Sequence, residues 1–196
     1  MTQPPVPDER RPASGGSKAA ARNRAALIAA AREIYAQEGL DAPLSAIARQ
    51  AGVGQGVLYR HFPNRDAVAG AVLEENVRQI EQAAAAPDAT SASVLGVLTW
   101  HLAESAAFIG LLSVEATGRS SKNLAHSLVL SERVERALDG HLPDGGLLRE
   151  MSDLTLAVAM VSGAVAGHSR EERQRRALAA WRLLGVTVGP VRPFEE

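Results

Sequence analysis

His101 and Glu104 stand three residues apart, a spacing that places an imidazole and a carboxylate on one helical face, the chain's nearest approach to a metal-binding pair. No third ligand accompanies them, so an ordinary hydrogen-bonded pair is the simpler reading. The run Gly52-Val53-Gly54-Gln55-Gly56 has the glycine density of a phosphate-cradling loop. No strand pattern precedes it, however, and no Gly-Lys-Ser/Thr follows. The chain has no cysteine, which excludes thiol catalysis and disulfide stapling. No Gly-x-Ser-x-Gly nucleophile elbow occurs either. These absences argue against an enzyme and against a resident cofactor or metal.

The same glycine-rich run reads differently in terms of the helices around it. From Asn23 onward Leu27, Ala31, Ile34 and Tyr35 recur at spacings of three and four, a helical pattern that Gly39 stops. Leu44, Ile47, Ala48 and Ala51 form one face of a short second helix, with Pro43 near its first turn and Asp41 as its expected cap. A third short helix is expected over residues 55–62. Pro63 and Asn64 then open a fourth, which runs through Arg65, Val68, Val72 and Val77. A helix-turn-helix needs a small residue where its helices cross, a turn glycine able to take positive φ, and apolar residues that lock the second helix onto the first. Ala48, Gly52 and the set Ile47, Ala51, Val53 and Leu58 meet all three demands together.

The segment LSAIARQAGVGQGVLYRHFPNRDAVAGAVL, Leu44 to Leu73, resembles the tetracycline-repressor (TetR) family of bacterial transcriptional regulators. The resemblance covers about 55 residues; the rest of the chain matches the family only in helix number and length. It implies that the third helix enters the major groove of a double-stranded DNA operator. Tyr59 and His61 on that helix, with Arg65 at the start of the fourth, would hold phosphates, while Gln55, Val57 and Arg60 would reach base edges and Gly56 would let the backbone approach DNA. The competing readings are a core aromatic for Tyr59 and solvated charges for Arg60 and Arg65; Phe62 is expected in the core. The family often carries Ser or Thr where this chain has Ala42, Pro43 and Gly54, so those phosphate contacts and caps are lost. Ser45 can replace one of them.

A net charge of −1 looks wrong for a DNA binder until it is divided along the chain. Residues up to Asp66 carry nine Arg or Lys and six Asp or Glu, whereas the rest carry twelve and sixteen. The head is basic and the body acidic, as suits a protein that meets phosphates through a small head alone. The N-terminus, rich in Pro and charge, has no apolar run resembling a secretory signal, and the longest apolar stretch, Leu154 to Ala166, is too short for a bilayer. A cytoplasmic protein without membrane association is expected.

Three divisions follow: a disordered tail over residues 1–20, a helix-turn-helix domain over 21–66, and a larger helical body over 67–196 for effector binding and dimerisation. In the body, helices are expected at about 91–106, 107–117, 121–140, 152–167 and 171–186. No segment alternates with period two, so the fold class is all-α with about nine helices. The helix around 152–167 is apolar on every side, which calls for burial on every side. A four-helix homodimer interface with the following helix would supply it, through Leu154, Val158, Val161, Val165, Ala177, Trp181 and Leu184, with Gly163 and Gly167 permitting close approach. An internal core helix is the alternative. Val97, His101, Glu104 and Phe108 share a mixed helical face suited to an apolar pocket with polar anchors, and Trp100, His126 and Met160 are further candidates for binding a small-molecule effector of unknown identity. The whole reads as a ligand-responsive regulator, expected to be a repressor. A helical binding module whose head no longer reads DNA, and a regulator without an effector pocket, are the rival readings.

Overall fold

The computed structural model describes residues 14–104, 121–141, 151–165 and 169–195, and among them there are eight helices and no strand. They are α1 (Ser14–Glu38), α2 (Leu44–Gln50), α3 (Gln55–His61), α4 (Arg65–Ala85), α5 (Ser91–Glu104), α6 (Ser121–Asp139), α7 (Met151–Ala164) and α8 (Arg170–Leu183). The helix expected at 107–117 lies outside the described residues. None of the described helices is long and apolar enough to cross a membrane.

Helix α1 begins at Ser14, which corrects the expectation of disorder through residue 20. Gly15 and Gly16 argued for a loop, but they occupy only the first turn. The Lys18-Ala19-Ala20-Ala21-Arg22 run behind them consists of strong helix formers and carries the helix outward from its packed part. Residues 1–13 lie outside the described set.

Two apolar cores share one helix. The first joins Leu27, Ile28, Ala31, Ile34 and Tyr35 of α1 to Ile47 and Ala48 of α2, Leu58 of α3, Phe62, and Val68 and Val72 of α4. The second begins at Leu73 and continues through Val77 and Ile80 into α5, α6, α7 and α8. Thus α4 is buried in the head over its first turns and in the body over the rest. Asn64 starts it, its Oδ1 accepting a 2.9 Å hydrogen bond from the Ala67 amide and so satisfying one of the free donors of the first turn.

Polar ties connect the body helices. Arg133 of α6 donates two bonds to Glu81 of α4, at 2.8 and 2.7 Å, and a third to Glu74. The Glu81 carboxyl is held below its ordinary range chiefly by these bonds. Beyond α8 the chain returns across the start of α5, where the Gly189 amide donates to the Ala92 carbonyl at 2.8 Å. The approach is close enough that a Cβ on Gly96 would meet the Pro190 carbonyl oxygen at 2.5 Å, so glycine is required there for the backbone to pass.

Candidate nucleic-acid interface and effector site

The turn between α2 and α3 is built as its residues demand. Gly52 adopts φ +66°, and the chain folds back so that the Val53 amide donates to the Ala48 carbonyl at 3.0 Å. Ile47, Ala48 and Leu58 are sealed in the head core. Neither short helix has a side-chain cap: Pro43 stands at the N-cap of α2 and Gly54 at that of α3. Asp41, the expected cap of α2, instead accepts a 3.2 Å bond from Arg65. Ala42 is buried in the head core, so a hydroxyl at that position would be drawn away from solvent rather than offered to it.

With Leu58 facing inward, the opposite face of α3 turns to solvent. Gln55, Gly56, Tyr59 and Arg60 are all exposed, as is Ser45 on α2, while Val57 and His61 are half-buried. Tyr59 is 52% exposed, which rules out the core-aromatic reading, and Phe62 takes the core place instead. Nothing lies within 4 Å of where a Cβ on Gly56 would stand, leaving that backbone open to approach. The Arg24 guanidinium stands 5.4 Å from the centroid of the Phe62 ring, adding a cation beside α3 that the pattern of apolar residues did not mark. Arg65 behaves differently from the rest. Its Nη1 donates to the Leu40 carbonyl at 3.0 Å and to Asp41, so it braces the α1–α2 loop against α4.

This arrangement of a buried second helix, a left-handed glycine turn and an exposed third helix has a counterpart among known proteins. The family described as bacterial regulatory proteins, tetR family, matches residues 27–72. The match to that family's model is confined to the head. Solved structures extend the likeness to the fold of the whole. The TetR transcription regulatory protein from Mycobacterium vanbaalenii is 26% identical, with a TM-score of 0.52 over 88% of this chain and 99% of that one. The regulatory protein TetR from Rhodobacter sphaeroides is 18% identical, with a TM-score of 0.57 over 83% and 97%. The transcriptional regulator FadR from Bacillus subtilis, in complex with stearoyl-CoA, is likewise 18% identical, with a TM-score of 0.54 over 84% and 99%. No curated protein matches the sequence.

In the body the expected effector residues separate. Val97 lines a cavity of about 290 Å³ between the end of α4, the start of α5 and the C-terminal segment, together with Ala83, Asp88, Ser93, Arg192 and Phe194. Trp100 and His101 are buried further along α5, their rings edge to face with centroids 4.8 Å apart. Burial, reinforced by the nearby Arg32 cation, pushes the His101 imidazole well below its ordinary value of 6.5 and keeps it neutral. Glu104 pairs with Arg170 rather than with His101. Among the described residues no group of three or more His, Cys, Asp and Glu could hold a metal. Met160 is 54% exposed on the outside of α7 and so lines no interior pocket, a correction that follows from the face of α7 it occupies. Phe108 and the side chain of His126 lie outside the described residues.

The expected dimer residues also find other work. Leu154, Val158, Val161 and Val165 of the α7 segment, with Ala177 and Trp181 of α8, are buried in the core of a single chain, and partly buried Leu184 packs against it. In the single chain these side chains face the body core, Leu184 only in part. Trp181 was legible as an interface aromatic only because the sequence does not reveal that Thr99 waits for its indole N–H. The outer stripe of α7 is instead Leu156, Met160 and Gly163, at the i, i+4, i+7 spacing of one helical face, and Leu183 of α8 is 85% exposed. That spacing was readable in the sequence. Uniform apolarity around α7 concealed which stripe faced out. Gly167 lies outside the described residues.

Proposed function

We propose that this protein is a cytoplasmic transcriptional repressor that binds a palindromic operator as a homodimer and leaves it when a small molecule enters the body. The observation that carries this reading is the exposed face of α3, where Gln55, Gly56, Tyr59 and Arg60 stand clear of a head whose opposite side is fully packed. A short helix presenting an amide, a phenol and a guanidinium has the donors and acceptors for base edges and phosphates. Ser45 and half-buried His61 flank it, and Val57 offers a methyl contact. Arg65 serves this interface by holding the α1–α2 loop through Leu40 and Asp41.

A single short reading helix makes few contacts, and two of them in successive major grooves lie about 34–36 Å apart, which calls for a dimer. Leu156 and Met160, 61% and 54% exposed, with Gly163 and Leu183 supply an apolar patch on α7 and α8 for that purpose, in place of the buried residues first expected there. The structural neighbour bound to stearoyl-CoA supports a small-molecule effector for a body of this fold. Effector binding would favour a state in which the heads no longer match successive grooves.

The test is a titration of the full chain against DNA from upstream of its own gene, followed by fluorescence anisotropy. A sequence-selective complex is expected, of one dimer per palindrome, with Tyr59→Phe and Arg60→Ala each weakening it by about tenfold. Equal affinity for unrelated DNA, unchanged in both variants, overturns the reading.

A further inference from the structure

Between the first helix of the head and the start of the body lies a group of buried donors that no described residue satisfies. Arg32 of α1 donates through Nη2 to Asn76 Oδ1 of α4 at 3.0 Å, and its guanidinium carbon stands 5.4 Å from the centroid of the Trp100 ring of α5. Around this one guanidinium, Arg32 Nε, Asn76 Nδ2 and Trp100 Nε1 are all buried with no hydrogen-bond acceptor among the described residues. Asn76 is fully buried and Trp100 nearly so. Three unsatisfied N–H donors in one place are unusual in a folded protein, where most buried donors find a partner.

The charges tell the same story. Glu75 and Glu104 are the acidic groups that act on Arg32, yet each is engaged elsewhere. Glu75 accepts 3.0 and 2.7 Å bonds from Arg78 and another from Gln79, and Glu104 pairs with Arg170. No described carboxylate stands within ion-pair distance of Arg32. His101, edge to face with Trp100, is held neutral by its burial and so adds no second cation. Burial accordingly makes the cationic form of Arg32 harder to keep, a direction consistent with a charge that lacks its partner.

We propose that Arg32, Asn76 and Trp100 form a receptor for a carboxylate carried by the effector. The inference rests on the reading of the chain as an effector-controlled regulator and names the chemical class of that effector. A carboxylate matches the site in kind: it accepts several N–H bonds, it prefers guanidinium geometry, and it neutralises the uncompensated cation. The location gives the receptor a consequence. Arg32 lies on α1 between Ala31 and Ile34, both in the head core, so a ligand held there grips a helix of the DNA-binding head directly.

The experiment uses the full chain at pH 7.5, with octanoate and benzoate as acid probes and 1-octanol and benzyl alcohol as matched neutral ones. At about 5 mM the acids are expected to raise the thermal midpoint by about 3 °C and the alcohols to leave it unchanged. The Arg32→Met/Asn76→Leu double variant should lose this response while melting no lower than the wild type, because a buried cation without a counter-ion is replaced by apolar packing. A structural role for Arg32 predicts the opposite, a clear drop in the variant's midpoint. Operator affinity measured alongside should fall with octanoate in the wild type and stay constant in the variant. Equal responses to acids and alcohols, no response to either acid, an acid response that survives in the variant, or a destabilised variant each overturns the receptor. Loss of operator selectivity without any probe would instead overturn the regulator reading, so the two failures are distinguishable.

Discussion

The indole Nε1 of Trp181 donates a 2.9 Å hydrogen bond to Oγ1 of Thr99, joining α8 to α5 inside the body. The same Thr99 hydroxyl donates to the Leu95 carbonyl at 2.6 Å, so its hydrogen and a lone pair are both used and neither residue has reason to face a second chain. Trp181→Phe keeps the ring in place and removes the donor. It is expected to lower unfolding free energy by about 1–2 kcal/mol, read as a shift in urea midpoint, and to leave the oligomeric state unchanged. A shift to monomer in this variant would place Trp181 at the interface after all.

The outer stripe of α7 makes the converse prediction. Leu156→Glu combined with Met160→Glu alters two exposed side chains and none of the body core. Sedimentation is expected to show a dimer for the wild type and a monomer for the variant at the same concentration, with far-ultraviolet circular dichroism unchanged and operator affinity reduced by at least tenfold. A variant that remains dimeric would remove this face from consideration.

Gly52 adopts φ +66° in the turn that leads into α3. Nothing lies within 4 Å of where its Cβ would stand, so the cost of Gly52→Ala is conformational rather than steric. A loss of about 1–2 kcal/mol is expected in chemical denaturation, from forcing a β-carbon into the left-handed region. An unchanged midpoint would mean that the turn relaxes freely.

His101 predicts an acid sensitivity whose sign follows from its burial. Its folded-state pKa is depressed below the ordinary 6.5, so the unfolded chain binds the extra proton first as pH falls. Its stability contribution is therefore intact above about pH 6.5 and declines as pH drops below that value, by up to about 1.4 kcal/mol per unit until the folded group also protonates. Comparing urea midpoints of wild type and His101→Phe between pH 7 and pH 5 checks this: the wild type should lose the larger share. Parallel losses would assign the acid sensitivity to other groups.

Helical periodicity made most of α1 to α4 readable, because in a small head each apolar position has one core to face. Ala48, Gly52 and Leu58 could be assigned from spacing alone, since a crossing point, a left-handed turn and an inward contact each admit few residue types. The start of α1 was not readable in that way. Gly15 and Gly16 signal a break, while the alanines after them favour helix, and local preference does not say which prevails at a terminus. In the body, α7 has no polar face to orient it, so its buried and exposed stripes look alike in one dimension.

The α3 face of Gln55, Tyr59 and Arg60 was therefore determined by the sequence itself, as the surface left over once Leu58 and the turn are placed. Which way α7 turns, how Arg65 spends its donors, and the meeting of Arg32 with Asn76 and Trp100 were decided only by the tertiary structure. The physical reason is range. Periodicity reports how a helix is divided between inside and outside, but partners separated by 44 residues, as Arg32 and Asn76 are, become neighbours only when three helices pack. A lone arginine among apolar positions looks like a tolerated surface charge until its surroundings show that no described carboxylate pairs with it.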